Sequence, residues 1–269
     1  MLQISFVRLA ALAALSSVSV AALACEQLRM EPGGVVSSVT DGDTVILDDG
    51  RVVRMIGTQA PKLPLDRPGF VSWPLAPEAK EALEAMALNR PVRLGFGGEE
   101  VDRYGRVLAH LFVEGPEGEI WAQREMVAKG LARVYSFPDN RACLDLLLAA
   151  EGRARLGGLG IWSDPYYSVR LANAPDELLS HAGQYELVEG RVLLAEKSGG
   201  RVYLNFGRLW KEDFTAVIEA PGLRLFAEAG LDPLALDNAL VRIRGWVDDR
   251  DGPRIEVTHP EQIEVLALQ

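Results

Sequence analysis

Three strand-like runs crowd the segment from Gly34 to Ile56, at 34–39, 44–47 and 51–56. Only the acidic turn Asp41-Gly42-Asp43 and the turn Asp48-Asp49-Gly50 separate them. Connections this short join neighbouring antiparallel strands, because a parallel pair needs a long crossover. The chain therefore commits to a β-meander near its start, and the residues that follow decide what sheet the meander grows into.

Residues 61–77 are rich in proline and form a long loop. Pro77-Glu78 opens a helix that runs to Leu88, with Ala79, Leu83 and Met86 at helical spacing. Strand-like runs follow at 92–96 and 106–113 around an acidic loop at Asp102, and helices are expected at 121–129 and 139–154. Three antiparallel strands, a helix, two more strands and flanking helices suit a small barrel with a helical wall, assigned to residues 33–164. Pro165, Pro175 and Gly183 mark 165–184 as a connector with a short helix at 177–181. Beyond it come runs at 185–194, 201–206, 214–219, 240–247 and 255–258, room for a helix in 221–236, and an extended segment at 262–266. That order is the strand pattern of an OB-type barrel. The expected fold is mainly β with flanking helices: one OB-like barrel, then a second, smaller OB-like β-barrel domain at 185–269.

Residues 1–24 carry one basic residue, Arg8, before an apolar run that closes on Ala22-Leu23-Ala24, and they read as an export signal cleaved before Cys25. Nothing later resembles a membrane span. The expected location is the periplasm or the cell exterior. Lipid anchoring at Cys25 is a lesser option, since Ala22 is a poor match to the Leu preferred three residues before a lipidated Cys. In an oxidising compartment Cys25 and Cys143 can pair, and the alternative is that Cys143 is a small buried apolar residue. The formal charge is −10, and −11 once a leader carrying Arg8 is removed. Such a balance disfavours tight, non-specific binding of DNA or RNA but leaves room for a local basic cleft. Three His and two distant Cys make a structural zinc site a poor expectation.

Several short motifs stand in order along the first unit: DGDTV at 41–45, VR at 53–54, Ala60-Pro61, DRYGR at 102–106, AQREMVAKGLARVY at 122–135 and IWS at 161–163. Across about residues 35–164 the chain resembles the staphylococcal-type thermonuclease family. The resemblance implies a nuclease in which Asp43 binds a calcium ion, Arg54 and Arg106 hold the scissile phosphate, and Tyr104 lies beside the substrate. It also implies a second calcium-binding aspartate and a general-base glutamate around Ala60-Pro61. There this chain departs, with Gln59 and Lys62 at those positions.

The departure matters chemically. Cleaving a phosphodiester by this route needs a divalent cation to offset charge, guanidiniums to grip the equatorial oxygens, and an acceptor for the water proton. Gln59 offers calcium only a neutral oxygen, at a site that favours anionic ligands. An unperturbed lysine is protonated at neutral pH, so Lys62 becomes a base only if burial or the neighbouring arginines bring its pKa down by about three units. Otherwise its charge favours a bound phosphate without turnover. Asp66 and Asp41 are the candidates to restore a carboxylate, against plainer roles as a solvated loop charge and a turn residue. The plain readings of the arginines are a guanidinium reaching the barrel edge for Arg54 and an ion pair with Asp102 for Arg106.

The second unit carries RVYLNFGRLWKEDFTAVI at 201–218. It is similar to a module found after thermonuclease-like domains in some exported bacterial proteins. Tyr203, Phe206, Trp210, Phe214 and Trp246 are candidates for a base-stacking face with Arg208, Lys211, Arg242 and Arg244, and core packing explains the alternation equally well. His259 before Pro260 reads as a turn residue. Two functions stay open: an exported endonuclease with an atypical site acting on DNA or RNA, and a catalytically inactive phosphate- or nucleic-acid-binding or scaffolding protein of the envelope. The sequence names no protein partner.

Overall fold

The computed structural model describes Cys25 and residues 28–116 and 118–268. The expected export signal at 1–24 lies outside the described residues. The meander forms as expected: β1 (Arg29–Asp41), β2 (Thr44–Leu47) and β3 (Val52–Met55) pair in antiparallel succession. Next come β4 (Thr58–Gln59), the long loop, and α1 (Ala76–Ala87), which buries Ala76, Ala79, Leu83, Met86 and Ala87. β5 (Pro91–Phe96), β6 (Val107–Gly115) and β7 (Gly118–Trp121) follow, then α2 (Ala122–Ala128), β8 (Arg133–Val134) and α3 (Leu144–Leu156).

β1 is long enough to serve two partners, with its first half on β5 and its second half on β2. Register shifts at Pro32/Gly34, Val36/Ser38 and Val39/Asp41 bend it through the turn between them. Gly34 is required at the bend: its φ is +98°, and a Cβ there would stand 2.5 Å from Asp48 Oδ1. β3 then pairs with β6 in parallel, Val53 with Val107 through Met55 with Ala109. The circuit β1-β2-β3-β6-β5 is closed, an OB-like barrel around Val36, Val45, Val53, Met55, Leu94 and Leu111.

After β9 (Arg170–Leu171) and α4 (Pro175–Ser180) come β10 (Tyr185–Arg191), β11 (Leu194–Ser198), β12 (Arg201–Asn205), β13 (Thr215–Ile218), α5 (Ala220–Glu228), β14 (Leu240–Asp248), β15 (Arg254–Glu256) and β16 (Ile263–Ala267). The expected second OB-like barrel is not borne out. Its strands hydrogen-bond in the order β11-β12-β13-β15-β14-β10-β9, with β16 on β14, and among the described residues no ladder joins the two ends. The cause is a break in the run expected at 185–194. Val192 N–H donates to Ala239 and Leu193 N–H to Asn205, so the chain changes partners and continues as two strands. The open sheet still has its own core, with Val188, Leu204, Phe214, Ile218, Val241, Ile243 and Ile255 fully or almost fully buried.

A buried ionic cluster joins the two cores. Arg244 on β14 is wholly buried and bonds Glu151 of α3 (Nη2 to Oε2, 2.7 Å), the Val134 carbonyl (3.2 Å) and Glu264 of β16. Glu151 also accepts from Val134 N–H at 2.7 Å, and Arg155 pairs with both Glu151 and Glu264. Arg141–Glu261 and Ser136–His259 extend the same contact. Arg244 was a candidate for a surface stacking face, and its total burial removes it. Phe206 and Phe214 are core residues as well, whereas Trp210 and Trp246 are half exposed. A disulfide links Cys25 to Cys143, the N-cap residue of α3. No helix among the described residues is long and apolar enough to cross a membrane.

Candidate functional site

The DGD turn is pressed into the barrel end. A Cβ on Gly42 would lie 2.6 Å from Ala60 Cβ and 2.8 Å from Ala79 Cβ, so only glycine lets the turn meet both the loop after β4 and helix α1. That approach buries Asp43 completely and Asp41 almost so. Asp43 Oδ2 accepts from Ala60 N–H at 2.7 Å, and Oδ1 accepts from the Thr44 hydroxyl at 3.2 Å.

Lys62 fills the position between the carboxylates. Its Nζ stands 2.7 Å from Asp43 Oδ2, 2.8 Å from Asp43 Oδ1 and 3.3 Å from Asp41 Oδ2. Arg54 Nη1 adds a second cation 3.1 Å from Asp43 Oδ1. Burial alone would raise the Asp43 carboxyl, but Arg54 and Lys62 outweigh it and hold the group well below the usual carboxylate range. Asp41 moves the other way, raised first by burial and then by the Asp43 charge beside it. Asp41 is also the turn residue the sequence suggested, since its Oδ1 accepts from Asp43 N–H at 3.1 Å. Asp66 is exposed and makes no hydrogen bond to this cluster.

Gln59 does not face the cluster. Cross-strand pairing sets it opposite Arg133, and its Oε1 accepts from Arg133 Nε at 3.0 Å and Nη2 at 2.8 Å. Arg133 is buried under Trp73, Tyr167 and Tyr185, with ring centroids 4.9 to 5.9 Å from its guanidinium carbon, and burial lowers its pKa. Gln59 was expected to offer calcium a neutral oxygen, and that oxygen is committed to a buried guanidinium. Calcium takes about six to eight oxygen ligands. Here both Asp43 oxygens accept from protein donors, Lys62 stands between Asp41 and Asp43, and Gln59 is turned away. In this arrangement the carboxylates are held by protein cations, and no group of three or more His, Cys, Asp or Glu among the described residues is placed to hold a metal.

Next to the cluster opens a cleft of about 640 Å³, lined by Arg54, Arg103, Tyr104, Arg106, Tyr135 and Phe137 among others. Arg54 is turned partly inward, donating to the carbonyls of Met55 and Thr58 at 2.8 Å each and to that of Asp43 at 3.3 Å. Arg106 pairs with Asp102 at 2.7 Å, the plain reading of that residue. Burial would raise Asp102, yet hydrogen bonds from the Arg106 backbone and side chain hold it low. The structure thus brings Arg54, Arg106 and Tyr104 to one cleft, whose lining does not include Asp43 or Lys62. Tyr135 and Phe137 were not picked out as site residues. They lie just beyond β8, outside any strand, where no periodicity marks them.

The family model described as "Staphylococcal nuclease homologue" matches residues 52–164. The thermonuclease of Staphylococcus hyicus is 32% identical over 132 residues, covering 48% of this chain and 75% of that protein. Protein ParB of Escherichia coli is 34% identical over 170 residues, covering 60% of this chain and 88% of its own length. The chain belongs to the staphylococcal nuclease homologue family. Endonuclease YncB of Bacillus subtilis (strain 168) is a further relative, 29% identical over 132 residues and covered to 60%. Within this family fold, the match ends at residue 164, before β10 and the open sheet begin.

Proposed function

We propose that this member of the thermonuclease family binds phosphodiesters of single-stranded DNA or RNA and does not cleave them by a calcium-dependent route. The observation that carries the reading is Lys62 Nζ at 2.7 and 2.8 Å from the two Asp43 oxygens. An ammonium there supplies positive charge where the family's chemistry calls for a cation, but it cannot polarise a bound water into a nucleophile. The position of the family's base is occupied by the same lysine, already committed to two carboxylates. Arg54, Arg103 and Arg106 bring guanidinium donors for a phosphate to a cleft that Glu99, Asp102 and Asp139 also line, and Tyr104, Tyr135 and Phe137 give it faces for a base. We assign recognition to residues 33–164. The protein is exported, and the Cys25–Cys143 disulfide supports an oxidising compartment and Cys25 as a disulfide partner in place of a lipid anchor.

The test is cleavage and binding in parallel, on protein lacking residues 1–24, with single-stranded DNA and RNA oligomers in calcium, magnesium, manganese and chelator. The expected result is binding that weakens as salt rises, loss of binding in Arg106→Ala, and intact oligomer throughout. Metal-dependent cleavage by the unmodified protein that disappears in Arg106→Ala overturns the reading and establishes an endonuclease with an atypical site.

A further inference from the structure

Two side chains of β14 that share a face reach across to the barrel. Arg244 enters the buried cluster with Glu151 and Val134, and two residues on, Trp246 donates its indole N–H to the Tyr135 hydroxyl at 3.2 Å. The pairing of Tyr185 with Trp246 across β10 and β14 fixes the strand at this point. Tyr135 belongs to the wall of the cleft. Its ring is the centre of an aromatic array: Phe137 lies 4.8 Å away at 85°, Tyr185 4.8 Å at 76° and Trp246 6.4 Å at 83°.

Two members of this array are half open to solvent, Phe137 at 48% and Trp246 at 49%. One comes from the barrel and the other from the open sheet, and both rest on Tyr135. Clamped by a wholly buried ion pair two residues away, the indole is held in place before any ligand arrives. The arginines lie on the cleft side, Arg103 and Arg106 each over the Tyr104 ring at 4.8 and 5.6 Å. The carboxylate of Asp102 is neutralised by Arg106, while Glu99 and Asp139 remain on the rim.

We propose that Trp246 extends the binding cleft from the C-terminal unit, and that the ligand it selects is a single-stranded nucleic acid of several nucleotides. The proposal rests on the phosphate-binding reading given above. A mononucleotide has one base and can use one exposed ring, whereas a strand can set one base on Phe137 and a neighbouring base on Trp246. Every base has a π-face, so such a platform adds affinity for chain length with little sequence preference.

The test compares a hexathymidylate with thymidine 5′-monophosphate by calorimetry and by anisotropy of labelled hexamer. Trp246→Leu keeps apolar bulk against Tyr135 and Tyr185 but removes the ring, and Trp246→Phe keeps a ring. The expected result is about tenfold weaker hexamer binding in Trp246→Leu, with most of the affinity kept in Trp246→Phe and no change for the mononucleotide in either. Equal hexamer affinity in the wild type and Trp246→Leu overturns the proposal while the phosphate-binding reading stands. Equal losses for hexamer and mononucleotide overturn it as well, since Trp246 would then act only by positioning Tyr135. An unmodified protein that binds neither probe at low salt sinks the underlying reading along with the proposal. Polyphosphate binding as tightly as hexamer, unaffected by Trp246→Leu, assigns the cleft to plain anions and overturns the proposal.

Discussion

Replacing Lys62 with Met removes the ammonium and keeps nearly the same length of side chain. Asp43 then loses two contacts below 2.9 Å and keeps Ala60 N–H, the Thr44 hydroxyl and Arg54. Removing one partner of a fully buried ion pair costs about 3–5 kcal/mol. Lys62 is one-fifth exposed and three donors survive, so about 2 kcal/mol is expected. For a chain of this size that is a fall in Tm of roughly 4–8 °C. A urea titration should show the midpoint falling with the slope unchanged. The pH dependence follows from Asp43. Its folded pKa is depressed, so its stabilisation is present above the unfolded value near 3.9 and is lost as pH falls below it. Without Lys62 the depression shrinks, and the acid limb of the stability curve becomes shallower. Calcium supplies the decisive arm. With the ammonium gone, Asp41 and Asp43 present two carboxylates against the single remaining cation Arg54, and millimolar calcium should raise the Tm of Lys62→Met but not that of the wild type. A wild-type protein stabilised by calcium, or a Lys62→Met protein as stable as the wild type at neutral pH, refutes the reasoning.

Two further outcomes bear on the fold. Arg244→Met should cost about 3–5 kcal/mol by leaving Glu151 buried without its main partner, and adding Glu151→Gln should recover part of the loss; additive losses in chemical denaturation would contradict the pairing. His110 and His259 are both pushed down to about 4, in each case chiefly by burial. Their unfolded forms take up protons near pH 6.5, so stability should be full above that value and fall between about 6.5 and 4, by up to about 1.4 kcal/mol per pH unit for each. His110→Leu should remove about half of that slope, and an unchanged slope would show that the imidazole titrates normally in the folded state.

Much of the barrel was legible because its signals are local. The hairpin turns and the helical spacing of Ala79, Leu83 and Met86 each act within a few residues. Asp43, Arg54, Lys62 and Arg106 were singled out by the family resemblance, through short motifs that stand in order along the chain. Their partners were not. Lys62 facing Asp43 depends on the closeness of Gly42 to Ala60, and Gln59 facing Arg133 depends on a two-stranded ladder between β4 and β8. The open second sheet was misread because Val192 and Leu193 continue an apolar run while their backbone groups turn to different strands. Arg244 was misread because a cation in a strand resembles a surface residue until a carboxylate from another unit reaches it.

The Glu151–Arg244 contact also changes what residue 164 means as a boundary. The family likeness stops there, but the electrostatic accounting of the barrel does not. Glu151 gives one oxygen to the backbone of Val134 and leans on a guanidinium that arrives from 93 residues further along. A shortened chain ending at the family limit would thus leave Glu151 without Arg244, held by Val134 N–H and Arg155 alone. The C-terminal sheet is in this sense the barrel's counter-ion, and the two halves have one stability to share.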